Sequence, residues 1–342
     1  MLFRSRATDA GNGDPSGLGA AAVQESQEAT SFEEALQYAI EVQERHADWL
    51  LAMGSVVGTA VGLGGDGDPV VNVYTKVPGV AGIPDILEGV RVVVEATGEF
   101  FAIGNKPDKG GGGSSIDPKS NFPIPVPIGV STGNAGECSA GTIGARVKGG
   151  GLYYALSNNH VFALENSASI GSNILQPGRY DTNCGTATNT VIGTLTDFEP
   201  IDFAGGDNTI DAAIALSDTA RLGNSTPSNG YGTPNSATVP AFLNQSVQKY
   251  GRTSALTKGR VTGLNGTFLI NYGSSGTARF VSQIVSQANR GAMIGSGDSG
   301  ALLVTDPGKN PVGLLFAGSA GGKTAIANPI DLVLGRFAAT IE

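Results

Sequence analysis

The chain is poor in the residues on which many chemistries depend. Its 342 residues include two cysteines, two histidines, one tryptophan and three methionines. Cys138 and Cys184 lack CxxC spacing, and two thiols with two imidazoles fall short of a metal-ligand set, so no metal and no cofactor is expected. Charged residues make up only 15% of the chain, which disfavours long solvated helices, and no apolar run approaches the roughly 20 residues that span a bilayer. A membrane is therefore not an expected partner.

A basic stripe is also missing. Residues 1–120 carry eight Lys/Arg against 17 Asp/Glu, and residues 121–342 carry 13 of each, so the net charge of −9 belongs to the first third. Nucleic acid is not an expected partner of such a surface, and a solvated acidic face is the plain reading. The opening Met-Leu-Phe-Arg-Ser-Arg is not followed by the apolar stretch of a secretory leader, which gives a cytoplasmic chain as the expectation.

What the chain has in quantity is glycine, 52 residues, with 17 prolines and a 40% hydrophobic fraction. That combination points to a large core built from short strands and many turns, and the length points to two or three folded units. Residues 1–30, rich in Gly, Ala, Ser and Gln, read as a disordered tail. Ser31-Phe-Glu-Glu34 has the form of a capping box, and the helix that follows places Phe32, Leu36, Ile40, Ala47 and Leu51 on one stripe, with an end at Gly54. Three strand-like runs follow at 56–63, 70–77 and 90–96, the first two as an antiparallel hairpin, so 31–103 read as a small α/β domain. The literal GxGxxG at Gly62–Gly67 runs into Asp68-Pro69 and a strand rather than a helix, which makes it a hairpin turn and not a dinucleotide site. Residues 104–121, with four consecutive glycines, read as a linker. Residues 122–342 alternate short β segments with turns, as in an all-β sandwich or a pair of barrels.

Three segments of this last unit concentrate the chemistry. Gly297-Asp-Ser-Gly300 sets a hydroxyl between two residues without side chains, just before an apolar strand. There the N–H groups of Gly297 and Ser299 can point at one spot and bind an oxyanion. A serine hydroxyl needs an adjacent base. His46 falls in the N-terminal helix across the linker, which leaves His160, at the end of the apolar run 153–156, as the base. Asp211 opens the small, apolar strand Asp-Ala-Ala-Ile-Ala-Leu216 and suits a carboxylate that orients the imidazole, with Asp207 or Asp202 as alternatives.

The blocks Asn-Asn-His-Val161, Asp-Ala-Ala-Ile214 and Gly-Asp-Ser-Gly300, in that order, resemble the signature blocks of the trypsin/chymotrypsin-like serine peptidases, and the detail is closest to bacterial trypsin-like proteins. Other catalytic-triad families place their members in a different chain order. Lys249–Val261 resembles the first hairpin of the second barrel, and Val312–Gly318 the strand beside a bound substrate backbone. The resemblance implies a mainly β fold, a chymotrypsin-like double six-stranded antiparallel β-barrel over 122–342 preceded by the small α/β domain. It implies a serine endopeptidase with catalytic His160, Asp211 and Ser299, an oxyanion hole at Gly297 and Ser299, and protein or peptide substrates. A homo-oligomer is compatible with it. Met293, Phe316 and Gly318 fall at the substrate pocket; none is charged, which implies an uncharged, moderately sized P1 side chain.

The chain departs from the animal members, in which a new N-terminus pairs with the acid before the nucleophile. With more than 120 residues ahead of the peptidase unit, Asp298 is expected to be held by local groups instead. Cys138 and Cys184 lie 22 residues before and 24 after His160, close enough to meet beside it, while the absent leader argues for a reducing compartment; the disulfide is left open. With a peptidase goes a regulatory or recruiting part for 31–103, and two alternatives stay in view: a catalytically silent homologue that binds peptides or proteins in the same cleft, and self-cleavage at the glycine-rich linker.

Overall fold

The computed structural model describes residues 16–102 and 116–342, with the side chains of 16–29 left aside. Most of the linker and residues 1–15 of the expected tail lie outside the described residues. Helix α1 spans Ser16–Leu51, so it starts well before the expected capping box. Pro15 precedes its first turn, and the stretch from Ala20 to Thr30 contains strong helix formers and no proline, so nothing stops the helix short of Ser31. Of the expected stripe, Leu36, Ile40, Ala47 and Leu51 face the core, the last two buried, and Phe32 alone does not. Ala39, Val42 and Leu50 are fully buried, whereas Phe32 is 38% exposed. The helix ends before Gly54, which adopts φ +69°.

Behind α1 lie β1 (Val56–Leu63), β2 (Pro69–Thr75), β3 (Ile86–Leu87) and β4 (Val90–Ala96), followed by the short β5 (Phe100–Ala102). β1 and β2 form the expected antiparallel hairpin, and β4 joins β2 in parallel. The apolar face of α1 packs on β1 and β2 through Val42, Leu50, Val61, Val71 and Val73.

The next strands are β6 (Ser131–Asn134), β7 (Gly141–Thr142), β8 (Ala145–Gly149), β9 (Leu152–Ser157), β10 (Asn173–Gln176), β11 (Thr190–Phe198), β12 (Asp207–Asn208) and β13 (Ala213–Ser217). All but β12 form one antiparallel sheet in the order β8-β9-β13-β11-β10-β6-β7. β7 and β8 are successive parts of one stretch, so the sheet closes on itself as a barrel of six staves, and the bond from Gly144 N–H to Leu156 O seals the joint. Ile128, Ile143, Phe162, Ile174, Ile192 and Leu195 fill it.

β14 (Ser246–Gly251), β15 (Ala255–Asn271), β16 (Thr277–Ala288), β17 (Leu302–Thr305), β18 (Pro311–Ser319) and β19 (Thr324–Pro329) make a second barrel in the order β16-β19-β18-β17-β14-β15, closed by β15 on β16. The fold is the chymotrypsin-like double six-stranded β-barrel. β20 (Thr340–Ile341) returns to the edge of β8. The 17-residue β15 outruns its barrel: its first half pairs with β14 and its second with β1. The N-terminal strands therefore continue the sheet of the second barrel. Among the described residues no helix is long and apolar enough to cross a membrane.

Candidate active site

His160 stands in the one-turn helix α2 (Asn159–Phe162), immediately after β9. Asp211 lies just ahead of β13, the neighbour of β9. This adjacency brings two residues 51 positions apart into contact: His160 Nδ1 is 2.5 Å from Asp211 Oδ2, and the backbone N–H of His160 donates to Asp211 Oδ1 at 3.2 Å. Both side chains are buried. The aspartate is fixed at its backbone too, with Asn158 Nδ2 on its carbonyl at 2.7 Å and its N–H on Asn328 Oδ1 at 3.0 Å. Asn328 belongs to β19, so the second barrel helps to hold the acid of the first. Asp207 and Asp202 are engaged elsewhere, by Arg279 and by the N–H of Ala204.

A third group reads the same carboxylate. Tyr272, at the end of β15, donates its hydroxyl to Asp211 Oδ2 at 2.8 Å, and its ring meets the His160 ring edge-on at 5.8 Å. Burial and the adjacent Asp211 push the Tyr272 phenol well above its ordinary range, so it stays a proton donor. Burial draws the imidazole of His160 down, but the charge and hydrogen bond of Asp211 outweigh it, and the net shift is upward. Among the described residues Nε2 of His160 is buried without a partner.

Ser299 sits in the turn before β17, pinned on both sides. Gly300 N–H donates to Leu315 O at 2.8 Å, Thr142 N–H donates to Ser299 O at 2.8 Å, and Thr142 Oγ1 donates to Gly297 O at 2.8 Å. Gly297 and Gly300 both have positive φ, +96° and +92°; a Cβ on the first would meet Arg252 Nη1 at 2.3 Å and one on the second Ser157 Oγ at 2.2 Å. Only glycine fits either place. The hydroxyl of Ser299 donates to Phe316 O at 3.2 Å, so in this state it is not hydrogen-bonded to His160. The two segments nonetheless adjoin. A Cβ built on Gly141 would touch both Val161, next to His160, at 2.5 Å, and Ser299 O at 3.1 Å. Among the described residues the N–H groups of Gly297 and Ser299 have no acceptor.

The acid before Ser299 is held by local groups, as expected. Asp298 accepts from Lys249 Nζ at 2.9 Å, Thr253 N–H at 2.7 Å, Gly295 N–H at 2.8 Å and Ser254 Oγ at 2.5 Å, with the side chains of Asp298 and Lys249 fully out of solvent. Burial raises the pKa of Asp298, but Lys249 and these donors more than offset it, and the carboxyl lies below its ordinary range. Sequence reading missed the role of Lys249, although it is the first residue of the segment Lys249–Val261 and lies within β14. Arg252 in the same hairpin pairs with Asp181 through Nε at 2.8 Å and Nη2 at 2.5 Å. Asp181 lies in the loop closed by a disulfide between Cys138 and Cys184, so this link ties the first barrel to the turn of Ser299.

The residues assigned to the substrate pocket are placed unevenly. Met293 is buried in the second-barrel core with Val247, Val261 and Leu315. Phe316 is buried among Tyr272, Phe280 and Ala317, presenting its carbonyl to Ser299. Gly318 lies in β18 opposite Ala325 of β19. Among the described residues no group of three or more His, Cys, Asp and Glu could hold a metal ion.

No family model matches the chain. Streptogrisin-A from Streptomyces griseus is 36% identical over 104 residues, 30% of this chain and 32% of that protein, so the match spans about a third of the relative's length. Among solved structures, a glutamic acid specific serine protease is similar at 22% identity over 64% of this chain and 100% of its own, with a TM-score of 0.47. The chymotrypsin of Cellulomonas bogoriensis is similar at 19% identity over 64% and 98%, with a TM-score of 0.44. The chain resembles the bacterial trypsin-like serine peptidases, as its three sequence blocks imply.

Proposed function

We propose that the protein is a serine endopeptidase in which Ser299 is the nucleophile, His160 the general base and Asp211 the carboxylate that orients and stabilises the imidazole. The observation that carries this reading is the buried Asp211–His160 pair, with one imidazole nitrogen unpartnered, beside a Gly-Asp-Ser-Gly turn with two unpartnered N–H groups. This reading requires the Ser299 hydroxyl to turn from Phe316 O to His160 Nε2, and catalytic hydrogen bonds often tighten only when substrate is bound.

The chemistry follows in order. Nε2 takes the hydroxyl proton as Oγ bonds to the scissile carbonyl carbon, and the oxygen of that carbonyl takes the negative charge into the N–H groups of Gly297 and Ser299. The imidazolium, held by Asp211, gives its proton to the departing amine as the C–N bond breaks. Water then repeats the sequence on the acyl-enzyme, and Ser299 is restored. Met293, Phe316 and Gly318 place no charge near the pocket, and an uncharged P1 side chain is the corresponding preference; a peptide-library profile dominated by Arg or Lys overturns it.

One observation favours a second reading. The Ser299 hydroxyl is turned to Phe316 O and not to His160, as suits a silent homologue that holds peptides or proteins in its cleft. A fluorophosphonate probe decides between them. Covalent labelling of the full chain, lost in Ser299→Ala, is expected of the peptidase; a chain that is folded and unlabelled at neutral and alkaline pH is the silent module.

A further inference from the structure

The loop that carries Asp181 has little apolar footing. It runs from the end of β10 at Gln176 to the start of β11 at Thr190, and its one helical turn, Arg179–Thr182, buries none of its residues. Polar contacts hold it in place. Arg179 donates to Cys184 O at 2.7 Å and to Ala135 O at 3.0 Å, and Ser131 Oγ donates to Asp181 Oδ2 at 2.5 Å. The covalent hold is the disulfide from Cys184 to Cys138, which fastens the loop to the connection between β6 and β7. Cys184 is an exposed residue of this loop, within reach of a reagent in solution.

What the loop holds is the turn of Ser299. Asp181 and Arg252 are paired almost wholly out of solvent, and the Tyr180 ring lies 5.6 Å from the guanidinium. The remaining nitrogen of that guanidinium, Nη1, donates to Ser296 O at 3.3 Å and to Thr253 Oγ1 at 2.9 Å. It also fills the space that a Cβ on Gly297 would need. The backbone N–H of Arg252 donates to Thr142 Oγ1 at 3.0 Å, which donates in turn to Gly297 O. The arginine thus braces the peptide units just before Ser299. A buried guanidinium that loses its carboxylate is drawn toward water, and Ser296 and Gly297 then lose their brace.

We propose that the Cys138–Cys184 disulfide is a thiol-sensitive clamp on the turn of Ser299. Closed, it keeps Asp181 on Arg252 and Arg252 against Ser296 and Gly297; opened by a dithiol, it frees the loop and slackens the turn. The inference rests on Ser299 as the reacting residue and names a regulation of that site. The exchange balances between the two partners. A thiolate of the dithiol attacks Sγ of Cys184, the S–S bond breaks, and the Cys138 thiolate leaves and takes up a proton. The second thiol of the reagent then attacks the mixed disulfide, releases Cys184 as a thiol and closes the reagent into its own disulfide. Two electrons and two protons pass from reagent to protein.

The test uses the full chain with dithiothreitol as the probe, and alkylation with mass spectrometry counts the thiols released. Amide exchange is read first, because it does not depend on chemistry at Ser299. The amides of Gly295, Asp298 and Gly300, each hydrogen-bonded in the closed state, are expected to exchange faster after reduction, while a circular dichroism melt shows the barrels intact. Fluorophosphonate labelling is expected to slow by about tenfold or more and to recover on reoxidation with oxidised glutathione. Asp181→Asn keeps the disulfide and cuts the link alone. It should show the same slowing before any reagent is added and no further response to dithiothreitol. Independent effects that multiply, or a turn whose exchange is unchanged after complete reduction, overturn the clamp. Should reduction unfold the chain, Asp181→Asn decides by itself, and unchanged exchange in its turn overturns the proposal. A chain whose turn loosens but which labels in neither state keeps the clamp and loses the peptidase. One that labels equally in both states keeps the peptidase and loses the clamp.

Discussion

Two buried aspartates, one in each barrel, meet opposite partners and come to opposite ends. Asp298 faces the ammonium of Lys249 and four further donor contacts from Thr253, Ser254 and Gly295. Asp211 faces His160 and the hydroxyl of Tyr272, and the far nitrogen of its partner is unengaged. The first pair is saturated and holds a backbone turn in place. The second ends in a nitrogen that can accept a proton. A buried ion pair is thus a fastening or a reactive device according to whether its cationic partner has a face to spare: Lys249 spends its ammonium on Asp298, Ser254 and Ala255, and His160 keeps one nitrogen unpartnered.

The contrast is open to attack at its strongest point first. Asp211→Asn keeps the size of the side chain and removes the charge that steadies the imidazolium. The rate of fluorophosphonate labelling is expected to fall by about 10³–10⁴ while the thermal midpoint barely moves; a loss under tenfold would make Asp211 another fastening. Lys249→Met is the converse, leaving Asp298 buried beside an apolar chain. Denaturant unfolding should show a loss of about 3–5 kcal/mol, partly restored by adding Asp298→Asn, and a loss under 1 kcal/mol would mean that the donors from Thr253, Ser254 and Gly295 suffice.

Tyr272→Phe is subtler. Removing one donor from a charged acceptor costs about 1.5–3 kcal/mol at most, and only part of it reaches the reaction, so labelling should slow by roughly tenfold. The acid limb of the pH profile should also rise, because a carboxylate relieved of a donor holds the imidazolium harder. An unchanged profile would make Tyr272 mere packing. The smallest effect is in the parent chain. His160 has its pKa raised in the folded protein, and it accepts a proton only in its neutral form, so labelling should climb as pH passes through a value above the ordinary histidine range. The same shift stabilises the fold at low pH, fully below the unfolded histidine pKa, and that contribution fades as pH rises through the folded one. An acid limb at or below the ordinary histidine pKa would mean that burial, not Asp211, dominates.

Much of this was legible in the sequence, because turn chemistry and period-two apolar runs are local. Gly-Asp-Ser-Gly, the run before His160 and the strand after Asp211 each announce themselves within a few residues, and the hairpin Val56–Thr75 follows from its turn. What escaped depends on neighbours distant in the chain. Tyr272 reaches Asp211 across 61 positions, and nothing near it distinguishes it from any other strand-end tyrosine. β5 is three residues long and lacks alternation; its identity comes only from the edges of β15 and β18 between which it lies. β6 and β10 are short, and polar residues such as Thr132 and Asn134 fill β6, bonding to Leu175 O and Phe162 O. The start of α1 was misplaced for another reason: Ser31 and Glu34 suit a helix beginning as well as a helix middle, and only the chain upstream decides which.

The length of β15 bears on how the molecule comes apart. One strand serves as a stave of the second barrel and as the partner of β1, and Gln43 crosses the seam to Thr59 and Thr267. A part that shares a backbone ladder with its neighbour cannot melt alone without baring that ladder to water. Heating should therefore give one endotherm for the N-terminal strands and the second barrel, and amides at both ends of β15 should exchange their protons in step.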